Sequence, residues 1–253
     1  MQHHTGSSIW LRFSAPKPHA RLRLFCFPYA GGGASAFRSL FERVPEEIDV
    51  CPVQLPGREN RFSERPFVSL TPLVAALHEE ILPYLDMPYA FFGHSMGALI
   101  SFELACALRR SGQVPGPVHL LLSGHRAPHL ADQRPPAHQL PTPQFLETLR
   151  SLQGTPEKVL QHQELLQLLL PLLRADFAVC ETYTHVAQAP LACPISAFGG
   201  LQDPNVPCEA IRAWKKHTTH TCRVHFFAGG HFFWQDEPAS LFAALWRDLA
   251  GSF

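Results

Sequence analysis

The sequence predicts an α/β fold in which a mostly parallel sheet is covered by helices. Short apolar runs of strand-like composition alternate with longer amphipathic runs, which is typical of such a sheet. The short runs are nearly continuous in apolar residues, as in "FCF", "AFF" and "LLL", and this indicates strands buried on both faces. With 253 residues, 46% of them hydrophobic and 17% charged, the chain can bury the core that this fold needs.

Six apolar runs are predicted to be the strands of the sheet. They lie at 21–27, 49–55, 89–93, 118–124, 193–200 and 221–228, and a further edge strand is expected at 9–13. Helices are expected where the apolar residues follow a helical period, at 34–44, 70–84, 97–111, 207–218 and 236–250. Since no internal repeat or heptad pattern is visible, we predict one domain over residues 1–253.

The connection between the fourth and fifth strands is far longer than a crossover requires. It begins with the proline-rich "RAPHLADQRPPAHQLPTP" and continues with the helical stretches "PQFLETLRSL" and "TPEKVLQHQELLQLLLPLLRADFAVCETY". Thr155 and Pro156 are predicted to cap and begin the second stretch. Its leucines over 165–173 are too many for one core-facing stripe. We predict an inserted helical lid at about 128–190, with a thicker helical layer as the alternative.

Charge and cysteine content argue against several classes of protein. Twenty-one basic and twenty-one acidic side chains give no net charge, so neither a nucleic acid nor a membrane surface is an expected partner. The seven cysteines form no CxxC pair, and several lie in apolar runs, which favours a reducing compartment. Neither a secretory signal nor an apolar run of bilayer length is visible, so we expect a cytoplasmic monomer.

The stretch "YAFFGHSMGALISFELA" predicts a strand that turns directly into a helix, with Ser95 between two glycines at the turn. A serine hydroxyl attacks a carbonyl only when a base activates it and when it stands clear of the backbone. The G-x-S-x-G pattern achieves this, because its glycines occupy positions where a side chain would clash with neighbouring backbone. Ser95 is therefore the predicted nucleophile, and an ordinary glycine-rich turn is the alternative.

A serine nucleophile of this kind needs an acid and then a histidine, each after a later strand. Asp203 follows the predicted strand at 193–200, and His231 follows the one at 221–228. We predict His231 as the base and Asp203 as its orienting acid. Four other residues have competing interpretations: Asp236 is expected to cap the last helix, Asp132 lies in the lid, Asp176 is expected to pair with Arg174 or a neighbour, and His94 is expected to be structural.

Two backbone N–H groups are predicted to bind the oxyanion of a tetrahedral intermediate. One belongs to Met96, the residue after the nucleophile, and the other to Ala30, in preference to Tyr29, in the loop "FPYAGGGASAF". This glycine-rich loop lacks both a P-loop lysine and the G-x-G-x-x-G spacing, which argues against a bound nucleotide. His217, His220 and Cys222 straddle a predicted helix end and a strand, so no metal site and no cofactor are expected.

Seven motifs along the chain together resemble the type II thioesterases of nonribosomal peptide and polyketide assembly lines. They are "FPYAGGGASAF", "LPGRENR", "FFGHSMGALISFELA", "GTPEKVL", "LLLPLLRADF", "GGLQDP" and "GGHFFW", and they run in order from about Leu24 to about Leu249. The vertebrate medium-chain thioesterase that partners fatty acid synthase is similar too. The match at the serine, the acid and the histidine shows no departure.

The resemblance implies an α/β-hydrolase with a helical lid that removes acyl groups from the phosphopantetheine arm of carrier proteins. Members of this family clear stalled or wrongly primed carriers. Ser95, His231, Asp203, Met96 and Ala30 would take the roles given above. Because carrier proteins are usually acidic, a basic entrance is expected, for which Arg126, Arg134 and Arg58 are candidates, although a structural role suits Arg58 better. A general esterase and a carrier-binding scaffold without turnover are the alternatives.

Overall fold

The computed structural model describes residues 8–12, 17–38, 44–132, 134–235 and 238–252. Six strands form one sheet in the order β2-β1-β3-β4-β5-β6, and every neighbouring pair is parallel. The predicted α/β fold is therefore confirmed. The strands are β1 (Leu22–Phe27), β2 (Ile48–Pro52), β3 (Tyr89–His94), β4 (His119–Ser123), β5 (Ile195–Gly200) and β6 (Cys222–Phe227).

The α-helices account for most of the expected helical stretches. Within the described ranges they are α1 (Leu70–Ile81), α2 (Met96–Ser111), α3 (Thr142–Leu152), α4 (Glu157–Gln161), α5 (Gln163–Glu181), α6 (Cys208–Arg212) and α7 (Pro238–Leu249). At 34–44 the structure describes a short 3₁₀ helix, Ala34–Phe37, followed by Arg38 in helical conformation, and residues 39–43 lie outside the described residues. The helix expected at 207–218 ends early, because its second half is a 3₁₀ helix, Ala213–His217.

The expected edge strand at 9–13 is reduced to one antiparallel bridge between Leu11 and Val53. The bridge is flanked by hydrogen bonds from Arg12 N–H to the Pro52 carbonyl and from Gln54 N–H to the Trp10 carbonyl. Because Pro52 has no N–H group to donate, the pairing does not extend into β2 as a regular ladder. Residues 13–16 lie outside the described residues.

Alternating side chains of the strands fill two separate cores, one on each face of the sheet. Phe25 and Phe91 belong to the core beneath α1 and α2, whereas Leu24 and Phe92 belong to the core beneath α7. All four side chains are at most 3% exposed. Burial on both faces explains why these strands read as continuous apolar runs instead of alternating ones.

The connection between β4 and β5 carries α3, α4 and α5, and it has an apolar cluster of its own. The cluster contains Phe145, Leu149, Leu160, Leu166 and Leu173. The sequence predicted one helix from 155 onward, but the chain breaks at His162, whose extended backbone (ψ 97°) separates α4 from α5. In one straight helix Leu160 and Leu166 would point about 120° apart, so the break allows both to reach the same cluster.

The beginning of this helical region also differs by one residue from the prediction. Pro156 is the N-cap of α4, and Glu157 is its first residue, whereas Thr155 was predicted to be the cap. The fixed φ of proline, −56° here, suits either position, so the sequence did not distinguish them.

All seven cysteines are free, and Cys26, Cys51, Cys106 and Cys193 are buried. Burial raises the pKa of the Cys26 thiol well above its usual value, with a smaller contribution from Cys51. In the described part of the chain, none of the helices has the length and apolar character needed to span a bilayer.

A buried histidine on β4 makes the stability of the fold depend on pH. His119 Nε2 lies 2.9 Å from Ser196 Oγ, and Nδ1 lies 3.0 Å from Ser252 Oγ. Burial lowers the pKa of His119 from 6.5 to about 4; Asp248 opposes this shift and Arg223 adds to it. As the pH falls from 6.5 to about 4, the unfolded chain binds a proton that the folded chain does not. Stability therefore decreases through this window and levels off below it.

We expect His119→Gln to flatten this dependence, because glutamine can keep hydrogen bonds to both serines and does not titrate. Because the variant has one titrating group fewer, the slope of the unfolding free energy against pH should decrease by about 1.4 kcal/mol per pH unit within the window. Urea unfolding at several pH values between 7 and 4 measures the slope. His220→Gln, which replaces an exposed histidine, serves as the control. An unchanged slope in His119→Gln would contradict the prediction.

Candidate active site

Ser95 lies at a sharp turn between β3 and α2 and has an unusual backbone conformation, with φ 54° and ψ −116°. The two flanking glycines are required by close backbone contacts. A Cβ at Gly93 would lie 2.0 Å from the Gly97 carbonyl oxygen, and a Cβ at Gly97 would lie 2.0 Å from that of Phe27. The turn therefore holds a non-glycine residue at positive φ, which is characteristic of a strained functional site.

The structure brings the side chains of Ser95, His231 and Asp203 together. His231 Nε2 lies 3.0 Å from Ser95 Oγ, and His231 Nδ1 lies 2.7 Å from Asp203 Oδ2. Ser95 is separated from His231 by 136 residues along the chain. His231 is 6% exposed and Asp203 is 8% exposed, so little water surrounds the hydrogen bond between them. This is the arrangement of a nucleophile, a base and an orienting acid.

Asp203 is held in place by backbone groups of its own loop. Its Oδ1 atom accepts hydrogen bonds from Asn205 N–H (2.8 Å) and Val206 N–H (3.2 Å), which leaves Oδ2 for His231. The loops after β5 and β6 approach each other closely, since a Cβ at Gly200 would lie 2.1 Å from the Gly230 carbonyl oxygen. Glycine at 200 thus allows the loop of the acid to meet the loop of the histidine.

The other acids considered from the sequence have different surroundings. Asp132 forms ion pairs with Arg126 (2.5 Å) and Arg134 (2.9 Å). Asp176 was expected to pair with Arg174 or a neighbour, and this expectation is wrong, because Asp176 pairs with Arg58 of a distant loop at 2.8 Å. Asp236 lies outside the described residues.

Arg174 does not pair with Asp176 because its side chain is directed to the segment around His138. Its guanidinium donates to the His138 carbonyl oxygen at 2.7 Å and lies over the Phe145 ring. Helix α5 therefore presents Arg174 to the helical cluster of the β4–β5 connection, whereas Asp176, two residues later, is buried on another side.

His94 lies beside the candidate base and is fully buried. Its Nδ1 atom is 2.9 Å from Ser123 Oγ, and its ring centroid is 5.1 Å from that of His231. Burial, together with the nearby His231 and His125, lowers the pKa of His94 well below its usual value. A neutral imidazole bonded to Ser123 fits the structural role that we predicted for His94.

The two predicted oxyanion donors are the N–H of Met96, the residue directly after Ser95, and the N–H of Ala30, in the loop after β1. Met96 is the first residue of α2, where N–H groups have no partner within the helix. Ala30 lines the same cavity as Ser95. In the described ranges, neither N–H group forms a hydrogen bond with another protein group. Both groups are thus free to donate to an oxyanion.

Three N–H groups of the glycine-rich loop after β1 and of the helix that follows it are occupied by side chains, two of which are anionic. Gly31 N–H donates to Asp176 (2.7 Å), Ala34 N–H to Gln54 (2.8 Å) and Ser35 N–H to Glu59 (3.1 Å). Phosphate binding at such a loop uses free N–H groups, and a carboxylate beside them repels the phosphate. The loop is therefore unsuited to a nucleotide, as its sequence also indicates.

A cavity of about 740 Å³ opens between the carboxyl edge of the sheet and the β4–β5 connection. Ser95 and His231 lie in its wall, beside Tyr29 and Phe232, whose ring centroids are 4.8 Å apart. The connection contributes an apolar part that includes Leu140, Leu149, Leu152 and Phe177. The volume is typical of cavities that enclose a small-molecule ligand.

The expected basic entrance is only partly present. Arg126 and Arg134 line the cavity, and both are paired with Asp132. Arg58, the third candidate, is 4% exposed and pairs with Asp176, so it is not available to a partner. The sequence indicated this structural alternative through the motif "LPGREN", but it gave no sign of the acid to which Arg58 binds.

Asn205 is a residue of the site that the sequence reasoning missed. Its backbone N–H holds Asp203, and its side-chain oxygen accepts a hydrogen bond from Arg134. It therefore links the orienting acid to the arginines of the cavity wall. The Asx-type turn "DPN" was the available signal, because an aspartate often accepts from the N–H group two residues later.

The residues considered for a metal site are not arranged to bind one. His217 Nε2 lies 2.8 Å from His129 Nδ1. Within the described ranges no group of three or more histidine, cysteine, aspartate or glutamate side chains is placed to hold a metal ion.

A family model and similar solved structures both relate the chain to thioesterases. A model of the thioesterase domain matches residues 22–247. The RedJ thioesterase from the prodiginine biosynthetic pathway in Streptomyces coelicolor has a similar structure, with a TM-score of 0.85 and 42% identity, covering 92% of this chain and 88% of its own. YbtT, a type II thioesterase from the yersiniabactin NRPS/PKS biosynthetic pathway, has a TM-score of 0.85 and 30% identity over 96% of this chain and 99% of its own.

One relative has a name from a different enzyme class. Linear gramicidin dehydrogenase LgrE of Brevibacillus parabrevis is 44% identical over 96% of this chain and 93% of its own. A dehydrogenase that uses a dinucleotide needs a loop that binds pyrophosphate. In this chain the corresponding loop after β1 has Asp176 and Glu59 at its N–H groups.

Proposed function

Since the chain belongs to the thioesterase domain family and is a hydrolase of thioesters, we propose that it removes acyl groups from the phosphopantetheine arm of carrier proteins. The acyl groups are stalled or wrongly primed intermediates of nonribosomal peptide or polyketide assembly. The observation that carries this proposal is the hydrogen-bonded series Ser95–His231–Asp203 at the wall of a cavity. The type II thioesterase from the yersiniabactin NRPS/PKS pathway, which has a similar structure, supports the choice of pathway.

In the first half of the reaction, Ser95 Oγ attacks the thioester carbonyl carbon while His231 Nε2 accepts the hydroxyl proton. The 3.0 Å distance between Oγ and Nε2 suits this transfer. The tetrahedral intermediate then collapses, its carbon–sulfur bond breaks, and the proton on Nε2 passes to the departing pantetheine sulfur. An acyl group is left on Ser95, and the arm leaves as a free thiol.

In the second half, His231 Nε2 accepts a proton from a water molecule that attacks the acyl-serine carbonyl. The ester bond to Ser95 Oγ breaks, the proton returns to Oγ, and the free acid leaves. In both halves Asp203 accepts the Nδ1–H of His231 at 2.7 Å. This hydrogen bond fixes the tautomer of the neutral ring that has its proton on Nδ1, which leaves Nε2 as the acceptor, and it stabilises the imidazolium when it forms.

The N–H groups of Met96 and Ala30 are proposed to bind the oxyanion in both halves. Their placement is supported by the contact between the end of β1 and the beginning of α2, where a Cβ at Gly97 would lie 3.0 Å from the Pro28 carbonyl oxygen. The loop that carries Ala30 is thus placed beside Ser95. Preorganised donors of this kind stabilise charge that develops in the transition state.

The β4–β5 connection is proposed to act as a lid over the acyl group. Leu140, Leu149 and Phe177 provide an apolar surface for the acyl chain. Arg126 and Arg134 in the cavity wall are proposed to contact an acidic carrier. We further propose a cytoplasmic, monomeric enzyme, in keeping with the free cysteines. The oxidoreductase class is disfavoured, because the two carboxylates at the glycine-rich loop would repel a pyrophosphate.

Release of free acid from a panel of acyl-phosphopantetheinyl carrier proteins tests the proposal. The matching acyl-pantetheine thioesters and p-nitrophenyl esters are assayed alongside, each with the Ser95→Ala variant as a blank. We expect kcat/KM on the carrier to exceed that on the free esters. Turnover of the esters alone would instead show a general esterase, and carrier binding without turnover would show a scaffold.

A further inference from the structure

A buried ion pair joins the loop after β2 to helix α5, beside the glycine-rich loop after β1. It is formed by Arg58, from the motif "LPGREN", and Asp176. The Arg58 side chain is 4% exposed and that of Asp176 is 3% exposed. Removing two charges from water is costly, and a buried pair is frequently no more stabilising than apolar residues of the same size. The mechanism described above leaves both residues unused.

The pair is bidentate, and it also binds the backbone of the glycine-rich loop. Arg58 donates from Nη1 to Asp176 Oδ2 and from Nη2 to Oδ1, both at 2.8 Å. The same Nη1 atom donates to the Gly32 carbonyl oxygen at 3.0 Å, and Asp176 Oδ2 accepts from Gly31 N–H at 2.7 Å. The two charged groups thus hold consecutive residues of the loop, one through its N–H group and one through its carbonyl.

These contacts fix the residue that directly follows Ala30. Gly31 has a φ of 79°, and a Cβ at this position would lie 2.6 Å from Leu173 Cδ2 of α5. The loop is therefore pressed against α5 at the level of Asp176. The Ala30 N–H group shares its peptide plane with the Tyr29 carbonyl, and this carbonyl accepts a hydrogen bond from Gly32 N–H at 2.9 Å. Because Asp176 holds Gly31 N–H and Arg58 holds the Gly32 carbonyl, the pair fixes the turn that sets the orientation of the Ala30 N–H group.

From this geometry we infer that Asp176 and Arg58 are positioning residues that aim the Ala30 N–H group at the oxyanion. The inference rests on the proposed function, since it needs Ala30 to be an oxyanion donor. The carboxylate of Asp176 orients the loop from the side of α5, and Arg58 holds the carboxylate and the Gly32 carbonyl at fixed distances. Neither residue touches the substrate.

Asp176→Asn tests the inference because it keeps the size of the side chain and removes its charge. An asparagine cannot accept from Gly31 N–H and from both Nη atoms of Arg58, since one of its two terminal atoms is a donor. Loss of one oxyanion donor costs about 10²–10³-fold in kcat, and we expect a misaimed donor to cost about 10–100-fold. KM should change little, because the substrate itself makes no contact with the pair.

The matched control is Asp248→Asn, the same substitution in another buried carboxylate. Asp248 is 3% exposed and accepts hydrogen bonds from Ser196 (2.6 Å) and His225 (2.8 Å), away from the cavity of Ser95. Both variants should lower the melting temperature, on the order of 10 °C, so the assays are run well below it. Only Asp176→Asn should lower kcat.

A second readout separates positioning from general loosening of the fold. A trifluoromethyl ketone analogue of the acyl-pantetheine forms a tetrahedral adduct with the serine and places an oxyanion in the site. Its affinity should fall in Asp176→Asn by the same factor as kcat/KM, whereas Asp248→Asn should bind it like the wild type. Arg58→Lys, which keeps the charge and loses the bidentate geometry, should show a smaller loss of the same kind.

The outcomes are distinguishable from those for the proposed function. If the wild type hydrolyses no acyl thioester in a Ser95-dependent manner, the proposed function fails. If the wild type is active and Asp176→Asn retains kcat and analogue affinity within twofold, the positioning role is wrong. Should Asp176→Asn not fold, Arg58→Lys decides: unchanged kcat and analogue affinity in that variant also overturn the inference.

Discussion

Ser95→Ala is expected to lower kcat/KM on an acyl thioester by about 10⁵-fold, with a range of about 10⁴–10⁶. The Oγ atom that this substitution removes lies 3.0 Å from His231 Nε2. Within the described ranges, His231 forms no hydrogen bond with any other hydroxyl group. Without it no acyl-enzyme forms, and the remaining catalysis comes from binding and the oxyanion donors. Quench-flow or steady-state release of free acid measures the change, and the melting temperature reports whether the fold is intact.

Ser101→Ala provides the control for this substitution. Ser101 is a buried serine of α2, the helix that follows Ser95, and its hydroxyl donates to the Gly97 carbonyl oxygen at 2.8 Å. It should keep kcat/KM within a few-fold of the wild type. If Ser95→Ala retained more than about 1% of wild-type kcat/KM, a covalent mechanism through Ser95 would be excluded.

Asp203→Asn is expected to lower kcat by about 10⁴-fold. Asp203 Oδ1 already accepts from two backbone N–H groups, so the carbonyl oxygen of an asparagine should take that position. Its amide nitrogen would then face His231 Nδ1 and donate to it. A histidine that accepts at Nδ1 carries its proton on Nε2, the atom that must accept the serine proton.

A double variant tests whether Asp203 acts through Ser95 and His231. Because the three residues act as a unit, Ser95→Ala combined with Asp203→Asn should be no less active than Ser95→Ala alone. Rates are measured on the same thioester with all three variants. Multiplicative losses in the double variant would show that Asp203 acts independently of the serine, and the proposed series of hydrogen bonds would then be wrong.

The sequence predicted the sheet and the meeting of Ser95, Asp203 and His231 because both depend on local signals. Buried parallel strands read as apolar runs, and in a parallel sheet their carboxyl ends lie at one edge. The residue after β3 and the loops after β5 and β6 are therefore brought together by the order of the elements. The turn at Ser95 was visible as well, since its two glycines are fixed by clashes with backbone.

Features that depend on distant partners could not be predicted. The partner of Arg58 is 118 residues away, and "LRADF" suggested the neighbouring Arg174 for Asp176 instead. The helix break at His162 has no glycine or proline to signal it in the sequence. It is explained by the packing of Leu160 and Leu166 against one cluster. The loss of the edge strand at 9–13 is similar, because it depends on Pro52 of the neighbouring strand.

The distances along the chain between the residues of the site have a consequence for how the protein becomes active during folding. His231 lies 136 residues from Ser95, and Asp176 lies 145 residues from Gly31. Contacts with such large separations close late, because each must overcome the entropy of a long loop. A nascent chain therefore has no functional site until β6 and the loop after it have emerged from the ribosome. On refolding from denaturant, hydrolytic activity should return with the slowest structural phase and never ahead of it.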